Sequence, residues 1–203
     1  MKIIKPVQNI EAKRCFVVSD FVRVPQKGKR YLGFLTPEDF EKRIKIAKKK
    51  TFKLSEKKLD KIIGDKYMPR LNAFNQLHWY LCEVKLEEVG VWIRAGGLPL
   101  SFTNKSLKDT AEKVKNALLK NSALLSKRAK RAIPNMLKTN YSLLQDEKYL
   151  FPIVLEHGAS PNVRKGLKYK VKGDIDDGCM RAIALAVGGR KTLKVFLGLK
   201  RKV

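Results

Sequence analysis

The sequence predicts an α+β fold: a mainly antiparallel sheet with basic amphipathic helices inserted between its strands. Three observations carry that reading. Two segments open with helix-start chemistry, Thr36-Pro37-Glu38-Asp39 and Ser106 followed three residues later by Asp109. Residues 77–103 and the last third of the chain hold short apolar runs of strand length, separated by glycines or acidic breaks. The net charge of +26 on 203 residues is carried in blocks, +8 over residues 41–70, +8 over 105–138 and +9 over 161–203. Residues 71–104 and 139–160 are slightly acidic, at −1 and −2. Basic blocks alternating with apolar ones describe a folded chain with basic surfaces, not a disordered polycation.

The 44% hydrophobic content suffices for a core over residues 1–203 as a single domain, with a sub-boundary near 104–106 as the alternative. No run of eighteen apolar residues is present, which argues against a transmembrane helix, and residues 1–6 lack a signal-peptide stretch. Cys15, Cys82 and Cys179 are isolated and form no CxxC pair. They read as small core residues of a reducing, intracellular compartment, with no metal site.

Along the chain, residues 15–24 read as a strand, 25–29 as a turn and 31–35 as a returning strand. Thr36 caps a helix with Pro37 at its first position. Phe40, Ile44 and Ala47 share one face, and Lys42, Lys45 and Lys49 another. A second helix starts at Ser55, with Leu59, Ile62 and Ile63 inward and Gly64 as its closing residue. Residues 77–86, 89–93 and 98–103 read as a β-meander. Ser106 opens a helix in which Leu107, Ala111, Val114 and Leu118 recur on one face. Asn121-Ser122 breaks it and caps another helix, which ends or kinks at Pro134. Residues 149–156 read as a strand, and 167–172 alternate apolar residues with lysine at period two. Residues 180–187 fit a helix or a strand, and 192–199 a strand reached through Gly188-Gly189.

The strongest functional candidate is the helical run Lys127, Arg128, Lys130, Arg131, with Lys138 nearby. Basic residues three and four apart on a helix track a phosphate backbone, and arginine does so with two hydrogen bonds. A second block is Lys42, Lys45, Lys49 and Lys50, with Phe52 at the helix end. A third is the loop Arg164-Lys165 feeding Lys168 and Lys170.

Asp174-Ile175-Asp176-Asp177 is the one dense carboxylate cluster, and it reads first as a turn with Asx-type caps. A D-x-D pair, Asp174 and Asp176, also has the chemistry to hold Mg²⁺ for phosphodiester cleavage. Over about a dozen residues the string resembles the D-x-D-N element of RusA-type Holliday-junction resolvases, whose acidic residues begin a helix after a strand. Asp177 stands where that pattern has Asn, and no Asp or Glu follows it. His157 is a candidate for metal-free acid–base work with lysine partners.

The function expected from these features is non-catalytic binding of nucleic acid, RNA or single strands ahead of duplex DNA. Contact runs through the phosphate backbone and needs no cofactor. The partners are nucleic acid and other proteins of a nucleoprotein complex, with no membrane. A nuclease using Mg²⁺ or His157 is the alternative.

Overall fold

The computed structural model describes residues 1–23, 36–161 and 169–200. The expected turn at 25–29, the returning strand at 31–35, and Arg164, Lys165 and Lys168 lie outside the described residues. The fold is α+β, with a mixed, mostly antiparallel sheet.

Strand β1 (Lys2–Val7) leads into helix α1 (Asn9–Arg23), followed by α2 (Pro37–Phe52) and α3 (Glu56–Gln76). Strands β2 (Leu77–Lys85) and β3 (Val89–Gly90) come next, then helices α4 (Leu100–Thr103), α5 (Leu107–Lys120), α6 (Lys127–Thr139) and α7 (Tyr141–Asp146). The chain continues through β4 (Ile153–Glu156), β5 (Gly173–Asp177), α8 (Cys179–Val187) and β6 (Thr192–Lys200). The sheet order is β1–β2–β6–β4–β5–β3. The β1/β2, β2/β6 and β4/β5 pairs are antiparallel; β4/β6 and β3/β5 are parallel.

The longest pairing is β2 with β6, in unbroken register from Leu77 opposite Lys200 to Lys85 opposite Thr192. In β6 the four residues Val195, Phe196, Leu197 and Gly198 are all buried, so both faces of this strand are covered. Gly198 lies opposite Trp79. A Cβ at Gly198 would come within 2.8 Å of Leu77 and 3.2 Å of Trp79, so glycine leaves room for both side chains. Trp79 packs edge-on against Phe74 of α3, ring centroids 4.9 Å apart, and Phe74 against Phe16 of α1 at 6.0 Å. Helix α1 also packs on α2, and α8 packs on α5 and α6. Buried apolar residues from before and after residue 104 belong to one cluster.

Three helix starts follow their side chains. Thr36 accepts from the Asp39 amide, Ser106 and Asp109 form a reciprocal capping box, and Ser126 accepts from the Ala129 amide.

Several expectations are corrected. Residues 15–23 are the end of helix α1, not a strand. Cys15, Phe16, Val17, Val18, Ser19 and Val22 are all buried, and a helix enclosed on most sides shows no amphipathic period. Gly64 does not close its helix; α3 continues to Gln76 through a break at Tyr67, two residues before Pro69. Residues 77–103 are not a meander. Strand β2 pairs with β1 and β6, β3 pairs with β5, and residues 100–103 are helical after Pro99. Asn121 caps only a single 3₁₀ turn; α6 starts at Lys127 and runs through Pro134 to Thr139. Residues 169–172 are not strand, and the strand begins at Gly173. The Asp174–Asp177 segment is therefore a buried strand, not a turn. Gly188-Gly189 joins a helix to a strand, not two strands.

Candidate nucleic-acid interface

On α6 the buried residues are Ala129, Ala132, Ile133 and Met136. Lys127, Arg128, Arg131 and Lys138 are exposed, and Lys130 is half-buried. The helix therefore presents its basic residues on the face opposite the core, as its spacing predicts. Lys127, Lys130, Arg131 and Lys138 make no ion pair with a carboxylate among the described residues. On α2, Lys42, Lys45, Lys49 and Lys50 are exposed, and Lys45 pairs with Glu41 at 2.9 Å. Phe52 is half-exposed, packed edge-on against Tyr149 with the Arg14 guanidinium 4.7 Å from its ring centre, as a helix-end anchor would be. Lys170 and Tyr169 are exposed in the segment that leads into β5.

The carboxylates of β5 are the feature the sequence reading placed least well. Asp174, Asp176 and Asp177 are 3, 3 and 5% exposed. An ionised carboxylate buried to that degree needs a cation or several donors, because desolvation costs several kcal/mol, on the order of 2–7 for a polar group alone. Helices α1, α3 and α8 and the turn after β4 deliver those partners. Asp177 Oδ1 accepts from Arg23 Nη1 at the end of α1, at 3.0 Å. Its Oδ2 accepts from Ser19 Oγ at 2.9 Å and from Arg181 Nη2 of α8 at 2.8 Å. Asp176 Oδ2 accepts from Arg70 Nε of α3 at 2.5 Å. Asp174 Oδ2 and His157 Nδ1 share a hydrogen bond at 3.1 Å. Arg23 also reaches Asp20 at 3.1 Å, and Asp20 pairs with Lys66.

Burial pushes the Asp177 carboxyl up, but the charges of Arg23 and Arg181 and the Ser19 hydrogen bond outweigh it. The group is held well below the usual carboxylate range. The reciprocal effect appears on Arg23, which the Asp177 charge pushes up against burial.

Local sequence explains how these groups converge. Arg70 follows the α3 break and Pro69, and its guanidinium lies 4.9 Å from the Phe16 ring and 5.9 Å from that of Trp92. Gly178 turns β5 into α8 at φ 90°, where a Cβ would sit 2.8 Å from Arg181 Nη2 and 3.1 Å from Pro152 Cα. Ser126 Oγ donates to the Gly96 carbonyl at 2.7 Å while capping α6, so one side chain ties α6 to the 95–97 turn.

The result is a cavity of about 380 Å³ at the junction of β5 and α8. Its walls carry four arginines, Arg23, Arg70, Arg128 and Arg181, against two carboxylates, Asp176 and Asp177, with Trp92 beside them. Of the expected site residues, the structure brings Arg128 and Asp176 to this one cavity. It places Asp174 with His157. Lys42, Lys45, Lys49 and Lys50 stand on α2, which packs on α1.

Sequence reasoning missed Ser19, Arg23, Arg70, Trp92 and Arg181. Arg181 carried a usable signal, its spacing of four from Asp177; the others come from distant segments and carried none.

Asp177 is not open to a divalent metal ion, and Asp176 is half committed. Both oxygens of Asp177 and one of Asp176 already accept from guanidinium or hydroxyl donors. Among the described residues no group of three His, Cys, Asp or Glu side chains is placed to hold a metal ion. Among the described residues, too, no helix is long and apolar enough to cross a membrane. No family model, no curated protein and no solved structure matches this chain.

Proposed function

We propose that the protein binds nucleic acid through its phosphate backbone, without acting on it chemically, as part of a nucleoprotein complex. One observation carries the reading: the basic residues of α6 lie together on an exposed face, in a chain of net charge +26. Such a face attracts a polyanion at long range and releases its counterions on contact. RNA and single strands come modestly ahead of duplex DNA; no standard DNA-reading module is recognisable in the sequence, and neither is an RRM or KH signature.

The test is affinity for a labelled single-stranded oligonucleotide as a function of salt. Contact with about 6–10 phosphates costs roughly 10³–10⁵ in affinity between about 50 and 200 mM salt. An affinity that barely changes over that range would remove the proposal. Cleavage of the oligonucleotide in Mg²⁺, absent from an Asp174→Asn variant, would replace it with the nuclease alternative.

A further inference from the structure

A groove of about 500 Å³ lies between α5 and the turn from α8 into β6, beside residues 85–87. Its apolar lining is Leu86, Ala111, Ala186 and Val187, with no aromatic ring among its residues. Leu86 and Ala111 are buried, and Ala186 and Val187 are half-buried, so these side chains form the floor. The charged lining is exposed and uneven. Lys85, Lys108, Lys115, Arg190 and Lys191 stand against Glu87 and Glu112, an excess of three positive charges. Lys85, Lys108, Lys115 and Lys191 make no ion pair among the described residues, and Arg190 donates to the neutral Gln145 side chain.

The spacing on α5 carries this line further. Lys108, Glu112, Lys115 and Leu119 follow one another at four, three and four residues, on one face of the helix. Leu119, one turn beyond Lys115, is 74% exposed, more than any other large apolar side chain among the described residues. An apolar floor, a cationic rim and a bare leucine in line with both fit a segment that has its own apolar stripe flanked by acids.

Other occupants fit less well. Glu87 and Glu112 repel phosphate, and the floor offers no aromatic platform for a base. Residues 24–35, 162–168 and 201–203 contain no Asp or Glu, and a second copy carries the same net charge of +26, so neither complements the rim. A strand cannot be added here, because β2 lies between β1 and β6, and β6 between β2 and β4. The occupant therefore engages through side chains, as a helix in a groove does.

We propose that this groove docks an acidic amphipathic helix of a partner protein. Aliphatic side chains of that helix cover the floor and Leu119, and its Asp and Glu residues face the lysines. No residue of α6 lines the groove, and the site does not depend on the proposed nucleic-acid binding.

The experiment selects phage-displayed random peptides of about 16 residues, enough for about four helical turns, on the full chain without nucleic acid. The expected result is enrichment of sequences with aliphatic residues at i, i+3 or i+4, and i+7, with Asp or Glu between them. A synthetic peptide of the commonest sequence then binds the wild type saturably. Lys108→Glu with Lys115→Glu, and separately Leu119→Ser, each weaken that binding about tenfold or more. All three side chains are exposed, so the thermal midpoints stay close to wild type.

A selection that enriches no acidic amphipathic sequence overturns the proposal. So does an enriched peptide that binds both variants as tightly as the wild type. A loss of oligonucleotide affinity in Leu119→Ser as large as the loss of peptide affinity assigns the groove to nucleic acid and overturns the partner helix. Peptide binding as expected in a protein that binds no oligonucleotide leaves the docking site standing and removes only the nucleic-acid reading.

Discussion

Arg181 Nη2 donates to Asp177 Oδ2 at 2.8 Å across the turn from β5 into α8, and both side chains are almost wholly buried. The residues are four apart, the spacing of a helical ion pair, although Asp177 ends a strand. Gly178 makes this possible by taking a left-handed conformation between them. The pair fixes the floor of the cavity, and Arg23 and Ser19 tie the same carboxylate to α1.

Asp177→Asn removes the charge that Arg23 and Arg181 share. A buried cation left without its partner costs about 3–5 kcal/mol, so the urea midpoint falls well below that of the wild type. A loss under about 1 kcal/mol would show that the network does not hold α1 to the sheet.

Acid stability follows from three carboxyls whose folded pKa values are depressed, Glu11, Glu88 and Asp177, the last two furthest. Burial raises Glu88, but the N-terminal ammonium, the Lys85 amide and Lys172 outweigh it and bring the group down to about 2 from its usual 4.5. Asp177 is lowered further, from a usual 3.8. Depressed values contribute stability that is complete above the unfolded pKa and is lost as pH falls towards the folded one. Stability is therefore flat from neutrality to about pH 5, within about half a unit of the higher usual value, and falls steadily below. Glu88→Gln flattens the fall between pH 4.5 and 2, read from urea midpoints at stepped pH. An unchanged slope in that variant would take Glu88 out of the account.

The triple change Lys127→Ala, Arg128→Ala, Arg131→Ala keeps good helix formers on an exposed face, so the thermal midpoint stays close to wild type. Affinity for oligonucleotides falls for every sequence alike, and the salt slope drops by about one per lost contact. Unchanged affinity in the folded variant would move the interface to Lys42, Lys45, Lys49 and Lys50 of α2.

Pro134 sits inside α6 and is exposed. A helix-interior proline costs about 3 kcal/mol through its missing N–H and its ring clash, partly offset by about 1 kcal/mol from a stiffer unfolded chain. Pro134→Ala therefore stabilises the protein by about 1–2 kcal/mol, measured by denaturant unfolding. Destabilisation would mean that a bend at this point is needed to seat Met136 in the core.

What the sequence determined by itself is local. The start of α2 at Thr36, the capping box at Ser106, the length of β2 and the basic face of α6 all depend on residues within a turn or two of each other. The α+β class follows from the same signals. Burial was legible too, since residues 71–104 and 139–160 hold little charge and many buried side chains. Tertiary structure decided which of these buried segments are strands and which strands pair. Helix α1 is enclosed on most sides, and enclosure erases the period that tells helix from strand. It also decided the fate of Asp174, Asp176 and Asp177. Three carboxylates within four residues look like a turn until Arg23, Arg70 and His157 arrive from segments 17 to 154 residues away. Long-range charge pairing leaves no mark on neighbouring residues, so only the folded chain shows that these acids are buried and already partnered.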